Sequence, residues 1–373
     1  MTFSVSSSEL LKRLQIAGGA IGNNVVLPIL EDFLFKLEGN VLTIIASDLE
    51  TSIITDIEVM PEKPGNVAVP ARLLMDTLKA LPDQPITFKA DEKNFAVSIT
   101  SSYGNYKLAG EDGEDFPELP VPDAVDSFTM PSNVLVQAIS KTVFATSNDE
   151  LRPAMSGVLF EVDFGSIKLV ATDAHKLVKY TFNGVSSNVN TRFIVPKKVL
   201  TQMKSSLPSK ADVKVSFNKS NVFFEADGVK MICRLIDARY PDYNAVIPKD
   251  NPNKLTINRA DIHSSLKRIS NYANKTTNQV VLDIAKNTLS VSAQDLDFSN
   301  EAKENISCTY EGEEMRISFN AKFLAEMLGV LESEEVHLNM SFPNRAGILL
   351  PGNTEEGEEI LMLVMPVMLS VGA

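Results

Sequence analysis

Residues 27–50 read LPILEDFLFKLEGNVLTIIASDLE: a strand, a tight turn, a second strand and an Ala-x-Asp corner. The same order returns at 152–177 (RPAMSGVLFEVDFGSIKLVATDAHKL) and at 277–298 (TNQVVLDIAKNTLSVSAQDLDF). The corner aspartates, Asp48, Asp173 and Asp295, lie 125 and 122 residues apart. That period is the size of a domain and far longer than a solenoid repeat.

A second ladder keeps the register. VPARLLMDTLKALP from Val69, VPKKVLTQMKSSLP from Val195 and FNAKFLAEMLGVLE from Phe319 align Pro70, Pro196 and Asn320. Proline at the first helical position marks two helix starts, and asparagine as N-cap marks the third. Upstream, 6–20, 131–146 and 258–272 carry apolar residues at helical spacing, such as Leu10, Leu11 and Leu14 or Ile262, Leu266 and Ile269. Each unit therefore holds two helices and many strands. The expected class is α+β, in three tandem homologous domains at 1–123, 124–250 and 251–373, bounded by the turn-rich ELPVPDAVD and PKDNPN.

A chain of 373 residues is too long for one core, and 44% hydrophobic residues allow each unit its own. Residues 1–20 lack a basic segment followed by an apolar run, so no signal peptide is read. The run ILMLVMPVML at 360–369 is half the length that spans a bilayer, so no membrane partner is expected. Cys233 and Cys308 fall in different units within strand-like stretches, which predicts buried, reduced thiols and a cytoplasmic location.

The net charge of −13 opposes a nucleic-acid partner, but its distribution does not. The six helical segments sum to +7, leaving −20 on the rest, although 320–332 is itself −1. At 70–81, Leu74, Leu78 and Leu81 form the apolar stripe, with Arg72 and Lys79 opposite. At 196–208, Leu200, Met203 and Leu207 form the stripe, with Lys197 and Lys204 opposite. One basic face per helix, recurring across repeats, fits a common phosphate track.

Catalysis has little support. His175, His263 and His337 fall in separate segments without a two-ligand spacing, and Gly-rich phosphate loops, Gly-x-Ser-x-Gly and Cys-x-x-Cys are absent from the sequence. Asp173 has counterparts at Asp48 and Asp295, which suits a structural corner. No enzyme, cofactor or metal site is expected. A repeat scaffold that binds only proteins, without encircling DNA, is the alternative reading.

The three units, together with ATDAHKL at 171–177, RYPDY at 239–243 and VMPVML at 364–369, resemble the bacterial DNA polymerase III β subunit family, the sliding clamps, over the whole of 1–369. The resemblance implies a head-to-tail homodimer closing a ring, with helices inside and antiparallel sheet outside. Such a ring holds double-stranded DNA through its phosphates without reading sequence. It tethers the replicative polymerase, the clamp loader, repair polymerases, and ligase or mismatch-repair proteins.

By resemblance, a partner-peptide cleft is expected at Arg152, Met155, Thr172, Ala174, His175, Lys176, Leu177, Pro241, Val246, Asn320, Phe323, Val364, Met365, Pro366, Val367, Met368 and Leu369. Leu177, Val246, Val364 and Met368 would take an apolar anchor, and Met365 would adapt to varied peptides. Lys176 stands where the family often has arginine, Ala245 where it can be basic, and the tail 370–373 runs past the usual end. DNA contacts are expected from Lys12, Arg72, Lys79, Lys141, Arg152, Lys197, Lys198, Lys204, Lys267 and Arg268, with Asn24 replacing a basic residue of some relatives. Dimerisation is assigned to Tyr103, Tyr106, Lys107 and Leu108 against Ile269, Glu301 and Glu304 of the partner, with Tyr106 and Leu108 packing on the region of Ile269.

Overall fold

The computed structural model describes residues 1–22, 26–123, 126–185, 187–208 and 210–368. Asn24, Leu369 and the tail 370–373 lie outside the described residues. Six α-helices are present among the described residues: α1 Ser7–Ala17, α2 Ala71–Ala80, α3 Ser132–Thr142, α4 Lys197–Ser206, α5 Arg259–Ile269 and α6 Ala321–Val330. Asn320 caps α6 as expected, its Oδ1 accepting from the backbone N–H of Lys322 at 3.0 Å and of Phe323 at 3.4 Å. Pro70 and Pro196 sit one place earlier than expected, closing the strands Gly65–Pro70 and Thr191–Pro196 immediately before α2 and α4. The buried stripe of α2 is Ala71, Leu74 and Leu78, and that of α4 is Val199, Leu200 and Met203. Leu81 and Leu207 fall past the helix ends and are only half-buried.

The three corners repeat in atomic detail. Asp48 Oδ1 accepts from the N–H groups of Glu50 at 3.1 Å and Thr51 at 2.7 Å. Asp173 Oδ1 does the same for His175 at 2.9 Å and Lys176 at 2.8 Å, and Asp295 Oδ1 accepts from Asp297 at 3.1 Å. These Asx turns spend the carboxylates on backbone donors, which explains the recurring aspartate in structural terms. Leu49 and Ala174 follow with φ of 75° and 76°, a left-handed conformation that the capped turn enforces on residues with a side chain.

The chain forms two compact bodies, Met1–Val136 with Lys198–Leu235 and Gln137–Lys197 with Ile236–Ala373. Neither is a sequence repeat, because strand pairing crosses from repeat to repeat. In the first body Thr51–Glu58 pairs antiparallel with Val229–Arg234, making an eight-stranded sheet, beside a five-stranded sheet that ends on Asn105–Ala109. In the second body Lys176–Asn183 pairs with Glu358–Val364, making a nine-stranded sheet, beside a four-stranded sheet that ends on Asn300–Ser307.

Apolar packing holds each body. In the first, Phe88 lies between Phe3 and Phe35, with ring centroids 4.9 and 5.4 Å away and all three rings buried. In the second, Leu159, Val170, Leu177, Ile194, Tyr243 and Leu363 form one cluster. Cys233 is buried, and burial pushes its thiol up to about 12, so it is inert; Cys308 is half-buried and also raised by burial. Among the described residues, no helix is long and apolar enough to cross a membrane.

The buried acid Asp32 has no hydrogen-bond donor on its carboxylate among the described residues. Asp32, 7% exposed, lines a groove of about 660 Å³ with Glu31, Arg72, Asp76 and Lys79. Burial, with smaller contributions from the nearby Glu111 and Glu31 carboxylates, raises its carboxyl to about 7. In the unfolded chain it ionises near pH 4. The folded state therefore holds the extra proton between about pH 4 and 7, and stability declines as pH rises through that window. Asp32→Asn is expected to melt above the parent at pH 8, with the difference shrinking towards pH 4; a difference independent of pH would contradict this.

Candidate partner cleft, basic faces and open sheet edges

Several of the residues expected of the cleft meet at the second corner. Thr172 Oγ1 donates to the carbonyl of Lys176 at 2.8 Å and accepts from the N–H of Ala174 at 3.1 Å, fixing the turn that presents His175. His175 is exposed and stacks on the half-buried Phe323 ring, with centroids 6.2 Å apart. Lys176 Nζ lies 4.2 Å from the centre of the same ring and pairs with Asp173 at 3.0 Å and Glu326 at 3.2 Å. Its side chain is 6% exposed. Lys176 thus braces Phe323 and α6 from a buried position.

The C-terminal run follows from strand register. Lys176 opposes Val364, after which Met365 donates its N–H to the carbonyl of His175 at 2.9 Å and Val367 to that of Ser318 at 2.9 Å. Pro366 bridges to Phe319, and Gln279 Nε2 donates to the carbonyl of Met368 at 3.4 Å. With the backbone so tied, Met365 and Met368 remain 40% and 70% exposed, and Val246 56%. Leu177 and Val364 are buried, so they belong to the floor while the methionines and Val246 offer the accessible apolar surface. Ala154 joins the Leu177 cluster and carries the neighbouring Arg152 and Met155 with it. Arg152 is exposed and pairs with Asp149 at 2.8 Å. Pro241 lies between Tyr240 and Tyr243, which both pack at this cluster, while Asn320 caps α6 and its Nδ2 donates to the carbonyl of Thr277 at 3.2 Å.

Tyr240 and Tyr243 escaped the sequence reading, although RYPDY carries them. Tyr243 is buried against Leu177, its hydroxyl donating to Glu161 at 2.6 Å, and Tyr240 donates to the carbonyl of Val170 at 3.2 Å. Burial holds both phenols well above their usual range.

The basic residues divide into four groups. Arg72, Lys204 and Lys267 are exposed without a side-chain partner among the described residues. Lys12, Lys79, Lys197 and Lys198 are accessible but engaged, with Glu9 at 2.6 Å, Asp76 at 3.5 Å, Asn148 at 3.2 Å and Asp48. Arg268 forms a bidentate pair with Glu304, at 2.8 and 2.7 Å. Lys141 is a correction: its side chain is 8% exposed, paired with Glu358 at 4% exposure, and 5.9 Å over the Tyr180 ring. It has no surface to offer a phosphate.

The strands assigned to dimerisation, Asn105–Ala109 and Asn300–Ser307, are both sheet edges. Tyr103 is 72% exposed, and Lys107 and Glu301 are exposed. Leu108 and Ile269, at 5% and 1%, are already buried within the protomer, so they cannot supply the apolar contact expected across an interface. Glu304 is engaged by Arg268 of its own chain.

Three family models match in series: the N-terminal domain of the DNA polymerase III beta subunit at residues 1–120, its central domain at 129–242 and its C-terminal domain at 244–367. The chain belongs to the DNA polymerase III beta subunit family. It is 27% identical to the beta sliding clamp of Vibrio cholerae over 99% of this chain and all of that protein. It is 26% identical to the beta sliding clamp of Bacillus subtilis over 98% and 99%. The crystal structure of the Bacillus subtilis DNA polymerase sliding clamp matches with a TM-score of 0.93 at 26% identity, covering 99% of each chain. That of the Pseudomonas aeruginosa sliding clamp, bound to griselimycin, gives 0.93 at 25%, covering 99% and 100%. Three clamp domains of helices and antiparallel sheet, and the function of a DNA polymerase III sliding clamp, follow from these matches.

Proposed function

We propose that two copies close head to tail into a ring around duplex DNA and carry replication and repair proteins along it in the cytoplasm, without catalysis of their own. The domain limits 1–123, 124–250 and 251–373 belong to this reading. The observation that supports it is the state of the sheets. Two sheets, of eight and nine strands, join strands of neighbouring repeats within one chain, while the other two stop at five and four strands, with Asn105–Ala109 and Asn300–Ser307 as edge strands. Open edges are templates for strand addition, and five strands joined to four would make a third sheet as large as the others. Sedimentation at several concentrations tests it: a dimer is expected, and a monomer at all concentrations contradicts it.

On this reading, exposed helical lysines hold the phosphates diffusely, so the ring slides and retention is topological. Changing Lys79, Lys197, Lys204 and Lys267 together to alanine is expected to leave the dimer intact. It should reduce the slope of log affinity for DNA against log salt by up to about eight, near one for each phosphate no longer neutralised by the eight lysines of the two copies. An unchanged slope would sink the assignment. The exposed surface at Met365, Met368 and Val246 suits an apolar peptide anchor, with His175 and Arg152 offering donors. The polymerase, the clamp loader and repair partners such as ligase or mismatch-repair proteins would share this cleft.

A further inference from the structure

The protein contains two copies of the junction that it must form a third time with its partner, and they fix the register of that third ladder. We infer that Lys107 of each protomer stands directly opposite Glu301 of the partner subunit, with Leu108 opposite Asn300 and Tyr106 opposite Ala302. This rests on the head-to-tail ring proposed above.

The alignment comes from hydrogen bonds. After the last strand of each repeat, one backbone N–H crosses to a strand that precedes the second helix. Glu111 donates to Ala68 at 2.9 Å, Ile236 to Ile194 at 3.0 Å and Val367 to Ser318 at 2.9 Å. The acceptors lie two residues before Pro70, Pro196 and Asn320, so they are equivalent. Hence Leu108, Cys233 and Val364, each three residues before its donor, are equivalent too. On the facing side, the corner alanines Ala46, Ala171 and Ala293 pair with Ile53, Val178 and Ala302. Thr51, Lys176 and Asn300 therefore correspond, despite a third turn two residues longer. Within the chain Cys233 opposes Thr51, and Val364 opposes Lys176. Transferring that pairing puts Leu108 opposite Asn300, and the rest of the ladder follows.

The chemistry fits the transfer. The positions of Lys107 and Glu301 are held inside the protein by Ile232 with Ser52 and by Leu363 with Leu177, all buried. At the open edges the same pair is a lysine and a glutamate, both exposed. Opposite charges facing across strands attract, and they tolerate water whenever the junction parts. A buried uncharged pair suits a junction that stays shut, and a charged pair one that opens. The second helix of a repeat also reaches across each internal junction: Lys198 pairs with Asp48, Gln202 donates to the carbonyl of Gly19, and Glu326 pairs with Lys176. Arg72 and Asp76 hold the positions of Lys198 and Gln202 in the first repeat. By the same correspondence Arg72 faces the third corner of the partner subunit, and is reassigned from the phosphate track to that junction.

Cysteine cross-linking of the full-length chain, with Cys308→Ser as background, tests the register. Directly opposed residues bring Cβ atoms within about 5.5 Å, whereas a two-residue offset leaves them about 7–8 Å apart. The pairs Lys107→Cys with Glu301→Cys and Tyr106→Cys with Ala302→Cys are expected to give a covalent dimer under mild oxidation, at least one of them nearly completely. Lys107→Cys with Lys303→Cys should give little. Preferential linking of that offset pair, or a dimer by sedimentation that none of the pairs links, overturns the register. A chain that sediments as a monomer overturns the ring itself, a separate failure. Lys107→Glu and Glu301→Lys should each raise the dimer dissociation constant roughly two- to fivefold, and the double exchange should restore it. Arg72→Ala should likewise weaken the dimer and leave the salt slope of DNA binding unchanged; the reverse result returns Arg72 to the DNA.

Discussion

Replacing Lys141 by alanine is expected to destabilise the second body by about 3–5 kcal/mol, because it strands the Glu358 carboxylate in a site where both side chains are less than a tenth exposed. The strand Glu358–Val364 begins at that carboxylate, so the loss falls on the ladder with Lys176–Asn183 and on the register that positions Met365. Removing both charges together, as Lys141→Met with Glu358→Leu, should recover most of the loss, since the cost lies in the unpaired charge and not in the missing attraction. Denaturant midpoints of the two variants check this. Equal losses for the single and double changes would mean that the pair is not what holds the strand start. DNA binding per folded ring should be unaffected by either change.

The second large effect concerns the cleft. The double variant Met365→Ala with Val246→Ala is expected to lower affinity for a peptide of glutamine, any residue, two leucines and phenylalanine by about 2 kcal/mol or more, roughly thirtyfold. Both side chains are accessible and outside the buried cluster, so the fold should be retained. Leu177→Ala is a poorer probe, because Leu177 is buried with Tyr243 and Leu363 and its truncation opens a core cavity. Calorimetric titration reads the affinity, and sedimentation of the same variant should still show the dimer. Undiminished peptide affinity would place the cleft elsewhere.

Much of this architecture is legible in the sequence for identifiable reasons. Strand-turn-strand patterning followed by aspartate specifies the corner locally: Asp48 and Asp173 take their hydrogen bonds from residues two and three places on. The cap at Asn320 is equally local. What escapes is set by contacts distant along the chain. Lys141 looks like any lysine in the last turn of an amphipathic helix, and its partner lies 217 residues away. Arg268 and Glu304, 36 residues apart, are assigned separately to DNA and to dimerisation until the structure pairs them. The alternation along Asn105–Ala109 puts Leu108 on the covered face of its sheet, a signal weaker than the family resemblance that assigns it to an interface. Periodicity reports that a face is covered, but not whether the cover comes from the same chain or from a partner.

The central claim, a ring held on DNA by topology, is tested most directly by loading the protein with a clamp loader onto nicked circular duplex and washing with 1 M salt, on the order of a 3 Å screening length. The protein is expected to stay on the circle through the wash and to leave promptly when the circle is cut to a linear duplex, since phosphate contacts are screened but the ring is not broken. Release by the salt wash alone, or retention on linear DNA with free ends, would contradict it.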